Sequence, residues 1–106
     1  MQDRLSIQLN GKIVTSNYFN MRMFRIADKL RSEGKEFPEI GDTLVYEMFD
    51  GTEVTNEVLE SLEVNQFVYL SNRALDIYLE EIKKVIELKN AQRPTMITVR
   101  TMETGE

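Results

Sequence analysis

The dipeptide Asn10-Gly11 constrains this chain more than any other feature, because both residues tolerate positive φ and they sit between two short apolar runs. Before it, Leu5-Ser-Ile-Gln-Leu9 alternates apolar and polar with the period of a half-buried strand; after it, Lys12-Ile-Val-Thr15 continues in β-branched residues. A two-residue hairpin follows. With the loop at Asn10-Gly11, Leu9 faces Lys12 and Ile7 faces Val14, which gathers Leu5, Ile7 and Val14 on one buried face and leaves Gln8 and Ile13 on the other.

Downstream, Phe19, Met23, Ile26, Ala27 and Leu30 fall at the spacing of an amphipathic helix, with Ser16 or Asn17 as its cap and Gly34 as its stop. Arg22, Arg25 and Lys29 give its opposite side a basic face, with Tyr18, Met21 and Phe24 at the margins. After Phe37-Pro38, Leu44, Tyr46 and Met48 alternate with Val45, Glu47 and Phe49 and end at Asp50-Gly51, which reads as a strand and a tight turn. Thr52 to Leu62 fits a strand through Val54, Asn56 and Val58, or a two-turn helix capped by Asn56; the turn and the β-branched start favour the strand. Gln66 to Leu70 then completes a three-stranded meander. Ser71 or Asn72 caps a last helix with Leu75, Leu79, Ile82 and Ile86 as its core stripe, widened by Tyr78 and Val85, and Pro94 stops it. Met96 to Thr101 reads as a final edge strand. The expected fold class is α+β in the order ββα-βββ-αβ, two amphipathic helices on a mainly antiparallel sheet. At 106 residues, one domain over residues 1–106 is expected, with 101–106 a frayed tail.

Charge is distributed unevenly. From Ser32 to Asn72 ten carboxylates stand against Lys35 alone, a formal −9, whereas the residues before that span sum to +4 and those after it to zero. Glu47, Asp50, Glu53, Glu57, Glu60 and Glu63 would stand out from the meander as a ribbon of carboxylates, able to steer and dock a positively charged surface.

With no His and no Cys, the histidine and cysteine nucleophile systems, zinc fingers and thiol redox chemistry are all excluded. The five glycines are isolated, so no phosphate-binding loop exists. Glu81-Ile-Lys83 and Glu87-Leu-Lys89 match half of a metal-dependent nuclease motif, but they lie on the amphipathic helix, where solvated Glu and Lys pairs explain them. Asp42, Asp50 and Glu53 lack the spacing of a calcium loop and suit turns. Neither a metal nor a cofactor is expected. A sequence pI near 4.8 argues against direct nucleic-acid binding by the basic face. No leader pattern and no membrane-length apolar run are visible, and together with the lack of cysteine they suggest a cytoplasmic protein.

Two stretches resemble known families. The hairpin start Ser6-Ile-Gln-Leu-Asn-Gly-Lys12 followed by a helix resembles the opening of small phage tail-assembly proteins, which would imply action through self-association. Ile40-Gly-Asp-Thr-Leu-Val-Tyr46 with Asp50-Gly51 resembles the first strands of small SH3-like or PUA-like barrels, which would imply a nucleic-acid-binding domain. Each covers less than a quarter of the chain, and neither transfers a functional residue. In size, acidity and lack of cysteine the chain also resembles phage-encoded inhibitors of host complexes. The leading expectation is a non-enzymatic, soluble interaction module whose six meander carboxylates dock on a basic protein surface, for instance one that otherwise holds nucleic acid. The alternative is an assembly protein that self-associates through the Met96 to Thr101 strand and the Met21 and Phe24 margin.

Overall fold

The computed structural model describes residues 4–92, and the expected strand from Met96 to Thr101 and the tail at 101–106 lie outside them. Among the described residues the fold is α+β: a two-stranded antiparallel sheet, β1 (Ser6–Leu9) and β2 (Lys12–Thr15), followed by four helices, α1 (Met21–Ser32), α2 (Phe37–Phe49), α3 (Asn56–Glu60) and α4 (Val64–Gln92).

The hairpin has the expected register, Ile7 opposite Val14 and Leu9 opposite Lys12. Asn10 and Gly11 both have positive φ, 53° and 82°, as the tight hairpin turn requires. Leu5 and Val14 are buried and Ile13 is exposed, so the apolar face is the one the alternation indicates. Ser16 closes the open end: the Leu5 amide donates to its Oγ at 2.8 Å, its own amide donates to the Leu5 carbonyl at 2.7 Å, and its hydroxyl donates to the Asn17 carbonyl.

Helix α1 is capped by Asn20, whose side chain accepts from the Met23 amide at 3.1 Å; Ser16 and Asn17 do not serve as its cap. Asn17 instead donates from its amide to the Met48 carbonyl and from Nδ2 to the Asp50 carbonyl, satisfying the C-terminal end of α2. The end of α1 is a Schellman arrangement, with Gly34 at φ 85° and amide bonds from Gly34 to Arg31 and from Lys35 to Leu30.

The expected meander is not there. Its first strand is helix α2, with Pro38 in the first turn, where a missing amide costs nothing. Ile40, Gly41, Leu44, Val45, Met48 and Phe49 are all buried along it. That doublet pattern repeats every four residues, and reading one member of each doublet imitates a strand. Asp50-Gly51 ends the helix rather than turning a hairpin. Thr52 to Leu62 holds the short helix α3, capped by Thr55 rather than Asn56 and fixed by the buried Leu59. Gln66 to Leu70 belongs to α4, which begins at Val64, well before the expected Ser71 or Asn72. The Glu63 carbonyl accepts the Gln66 and Phe67 amides, and the Gln66 side chain accepts from the Glu63 amide, half of a capping box.

Helix α2 lies centrally, packed on α4 and on α1. The crossing of α2 and α4 is close at Gly41: a Cβ there would sit 2.5 Å from Ser71 Oγ and 2.7 Å from the Ser71 carbonyl oxygen. From α4 the core takes Leu70, Ala74, Ile77 and Tyr78. The expected stripe is therefore displaced around the helix, with Leu75 and Ile82 half-buried and Leu79 and Ile86 exposed. Helix α1 meets α4 through Tyr78, whose ring lies 5.7 Å from that of Phe24; the Tyr78 hydroxyl accepts from Arg31 Nε and donates to Asp28.

Candidate interaction surface at the start of α4

Of the six predicted carboxylates, two face the N-terminal segment of their own chain. Glu47, in the last turns of α2, is 2.9 Å from Arg22 of α1, and Glu53, in the loop before α3, is 2.9 Å from Lys12 of the hairpin. The remaining four surround α3: Asp50 at the end of α2, Glu57 and Glu60 one turn apart on α3, and Glu63 at the cap of α4. They decorate helix ends and loops, not a sheet ribbon. The basic face of α1 is also largely committed: Arg31 is held by Asp28 at 2.8 Å, Arg22 by Glu47, and Lys29 lies 4.0 Å from Glu33.

Of the four carboxylates around α3, Glu60 lines an apolar cleft of about 250 Å³, together with Tyr46 of α2, Leu59 of α3, Leu62 of the connection, and Val64, Phe67 and Val68 of α4. The Tyr46 and Phe67 rings lie 5.6 Å apart and tilted, forming its floor. Partial burial, and then the negative charges of Glu60 and Asp42, raise the Tyr46 phenol above its ordinary pKa. Val64 and Val68 are 77% and 49% exposed. A second cleft, of about 340 Å³, opens on the other flank of α4 between Ser6, Ile7 and Gln8 of β1 and Asn65, Gln66, Tyr69 and Leu70, with Leu62 shared between the two. Tyr69 is 63% exposed.

The first two turns of α4 therefore form an apolar ridge between two hollows, acid-rimmed on the α3 side. Such a surface can seat apolar side chains and place cations against Glu57, Glu60 and Glu63. Among the described residues no group of three or more acidic side chains is placed to hold a metal ion, and no helix is long and apolar enough to cross a membrane. Sequence reasoning found the acids but missed Tyr46, Leu62, Val64, Phe67 and Val68. Their signal was the three- and four-residue spacing from Val64 through Phe67, Val68 and Ser71 to Leu75, concealed by the β-branched and aromatic run from Phe67 to Tyr69. No family model matches this chain, and no curated protein or solved structure does either.

Proposed function

We propose that this protein is a non-enzymatic interaction module that docks a basic amphipathic segment of a partner protein over the cleft between α3 and the start of α4. Apolar side chains of that segment enter the cleft at Tyr46, Leu62 and Phe67, and its lysines or arginines meet Glu57, Glu60 and Glu63. The observation that carries this reading is the adjacency of exposed valines to carboxylates. An apolar patch alone would fit many partners, and carboxylates alone would serve solubility; side by side they select a surface that is both apolar and cationic. Partner surfaces that otherwise hold nucleic acid carry that kind of positive charge.

The test is titration with a labelled amphipathic helical peptide of leucine and lysine, read by fluorescence anisotropy, with an equally apolar peptide of leucine and glutamate as control. Binding of the lysine peptide should weaken at least about tenfold between about 50 and 500 mM NaCl, where screening shortens the Debye length severalfold. Reversing Glu57, Glu60 and Glu63 to lysine should abolish it, and Val68→Asp should weaken it at unchanged helix content. Equal affinity for both peptides, or indifference to the reversal, would refute the reading.

A further inference from the structure

Helix α4 carries more apolar residues than its packing on α2 uses. Beside the buried row Leu70, Ala74, Ile77 and Tyr78 runs a second row, Leu75, Leu79, Ile82 and Ile86, at spacings of four, three and four. Those spacings are the a and d positions of a heptad repeat, the pattern by which one helix faces another. Leu79 and Ile86 are 40% and 54% exposed. Asn72 and Lys89 occupy the next positions of the repeat at either end, and both are exposed.

We propose that this row pairs with the same row of a second copy, the two α4 helices running antiparallel. Reversing the direction of one helix sets its a positions against the d positions of the other. With Leu79 against Ile82 of the second copy, Leu75 lies against Ile86, and symmetry doubles both contacts into four apolar layers. In the same register Asn72 meets Lys89, polar against polar. Asp76 and Lys83, one residue beyond Leu75 and Ile82, flank the seam, and each Asp76 comes beside Lys83 of the other copy.

Charge selects this register over its neighbours. A one-heptad shift in one direction opposes Asp76 to Asp76 and sets Asn72 on Ile82; the opposite shift opposes Lys83 to Lys83 and sets Lys89 on Leu79. Parallel packing stacks Lys89 on Lys89. It also places both folded bodies at the same end of the pair, because among the described residues the buried side chains of α4 stop at Tyr78 and the rest of each copy packs beside the first half of its helix. Antiparallel packing sets each body beside the exposed second half of the other helix. Among the described residues Asp76 has a loose contact, 3.9 Å to Arg73 with its side chain 65% exposed, so it can turn to the second copy at little cost.

Sedimentation equilibrium of the full chain from about 5 to 500 μM should show the mass rising from 12.4 kDa toward twice that value, as mass action requires of a reversible dimer. Leu79→Asp with Ile86→Asp, at exposed positions that leave the core intact, should weaken the dimer at least about tenfold. Asp76→Lys or Lys83→Asp alone should weaken it, and the two together should restore it. Because the chain has no cysteine, its direction can be read directly. A mixture of Asn72→Cys and Lys89→Cys copies should oxidise to a 72–89 cross-link, and Asn72→Cys alone should not cross-link, since the two 72 positions are then ~25 Å apart along the helices. A strict monomer at the highest concentration, a dimer indifferent to the substitutions at Leu79 and Ile86, a charge swap that fails to rescue, or a 72–72 disulfide would each overturn the proposal.

Discussion

Replacing Gly41 by alanine sets two effects of opposite sign against each other. Gly41 is interior to α2, where alanine is favoured over glycine by about 1 kcal/mol in an unobstructed helix. At this position the added Cβ meets Ser71 of α4, 2.5 Å from Oγ, 2.7 Å from the carbonyl oxygen and 3.3 Å from the carbonyl carbon. The hydroxyl can rotate away; the carbonyl oxygen belongs to the α4 backbone and cannot. Restoring an ordinary contact to it requires α2 and α4 to separate by roughly 0.5–0.8 Å, and a gap of that size forfeits a quarter to a half of the dispersion energy of each contact across it. The crossing is formed by Ile40, Leu44, Val45 and Met48 against Leu70, Ala74, Ile77 and Tyr78, each 3% exposed or less, so the loss is shared by the largest packed seam in the fold. Overpacking of a dense core costs about 1–3 kcal/mol, and a backbone obstacle places this case near the upper end. After subtraction of the propensity gain, Gly41→Ala should be destabilised by about 2 kcal/mol.

Urea denaturation followed by far-ultraviolet circular dichroism reads this directly as a fall in midpoint at unchanged slope. Thermal melts should fall by ~8–16 °C for a domain of this size. Ser71→Ala separates the two contacts: it removes the 2.5 Å approach and leaves the 2.7 Å one, so the double variant should recover less than half of the loss. If Gly41→Ala proves as stable as the parent or gains the propensity increment, α4 does not approach α2 this closely, and the packing around which the fold is described is wrong.

Ser16→Ala should cost about 1–3 kcal/mol in the same urea assay, because it leaves the amide of the buried Leu5 without its acceptor; Ser16→Thr, which keeps the hydroxyl, should cost less. Tyr78→Phe should cost about 1 kcal/mol at neutral pH, since Arg31 and Asp28 still hold each other at 2.8 Å when the phenol is gone. Burial raises the Tyr78 phenol above 10.0, with the Arg31 hydrogen bond opposing. A raised folded-state pKa contributes stability that is present below the unfolded value and is lost as pH rises through the folded one. The parent should therefore lose stability from pH 10 upward, and Tyr78→Phe should lose less over the same interval; parallel pH profiles for the two proteins would refute that assignment.

The parts of the fold legible in the chain were those set by local stereochemistry. Asn10-Gly11 leaves few alternatives to a tight hairpin, and the register follows by counting outward from it. The glycine at the end of α1 is equally local. The middle of the chain was misread because burial there is decided by tertiary contacts. A helix buried over a wide face, as α2 is, carries adjacent apolar pairs; its β-branched members, Ile40 and Val45, then weigh toward a strand although the core accepts them in a helix. Likewise Phe67 to Tyr69 has strand propensity, yet Phe67, Leu70, Ala74, Ile77 and Tyr78 are spaced to bury against α2 only as a helix.

The same misreading decided which half of the candidate site could be seen. Charge density needs no secondary structure, so the acids of residues 32–72 stood out in the sequence, but where they point depends on the element that bears them. On a meander all six would share one edge; on helix ends and loops they divide, two closing on Lys12 and Arg22 and four standing around α3. The apolar half depends on α4 beginning at Val64, because only then do Val64, Phe67 and Val68 fall beside Tyr46 and Leu62. The 29 residues of α4 also explain why the Leu75, Leu79, Ile82 and Ile86 stripe reads as core in the sequence. It has the periodicity of a buried face, and with Leu70, Ala74, Ile77 and Tyr78 already filling the contact with α2, half of that stripe finds no surface to cover among the described residues. Periodicity reports that a helix face is apolar; whether that face meets its own chain or another is set by how much apolar surface the rest of the fold can cover.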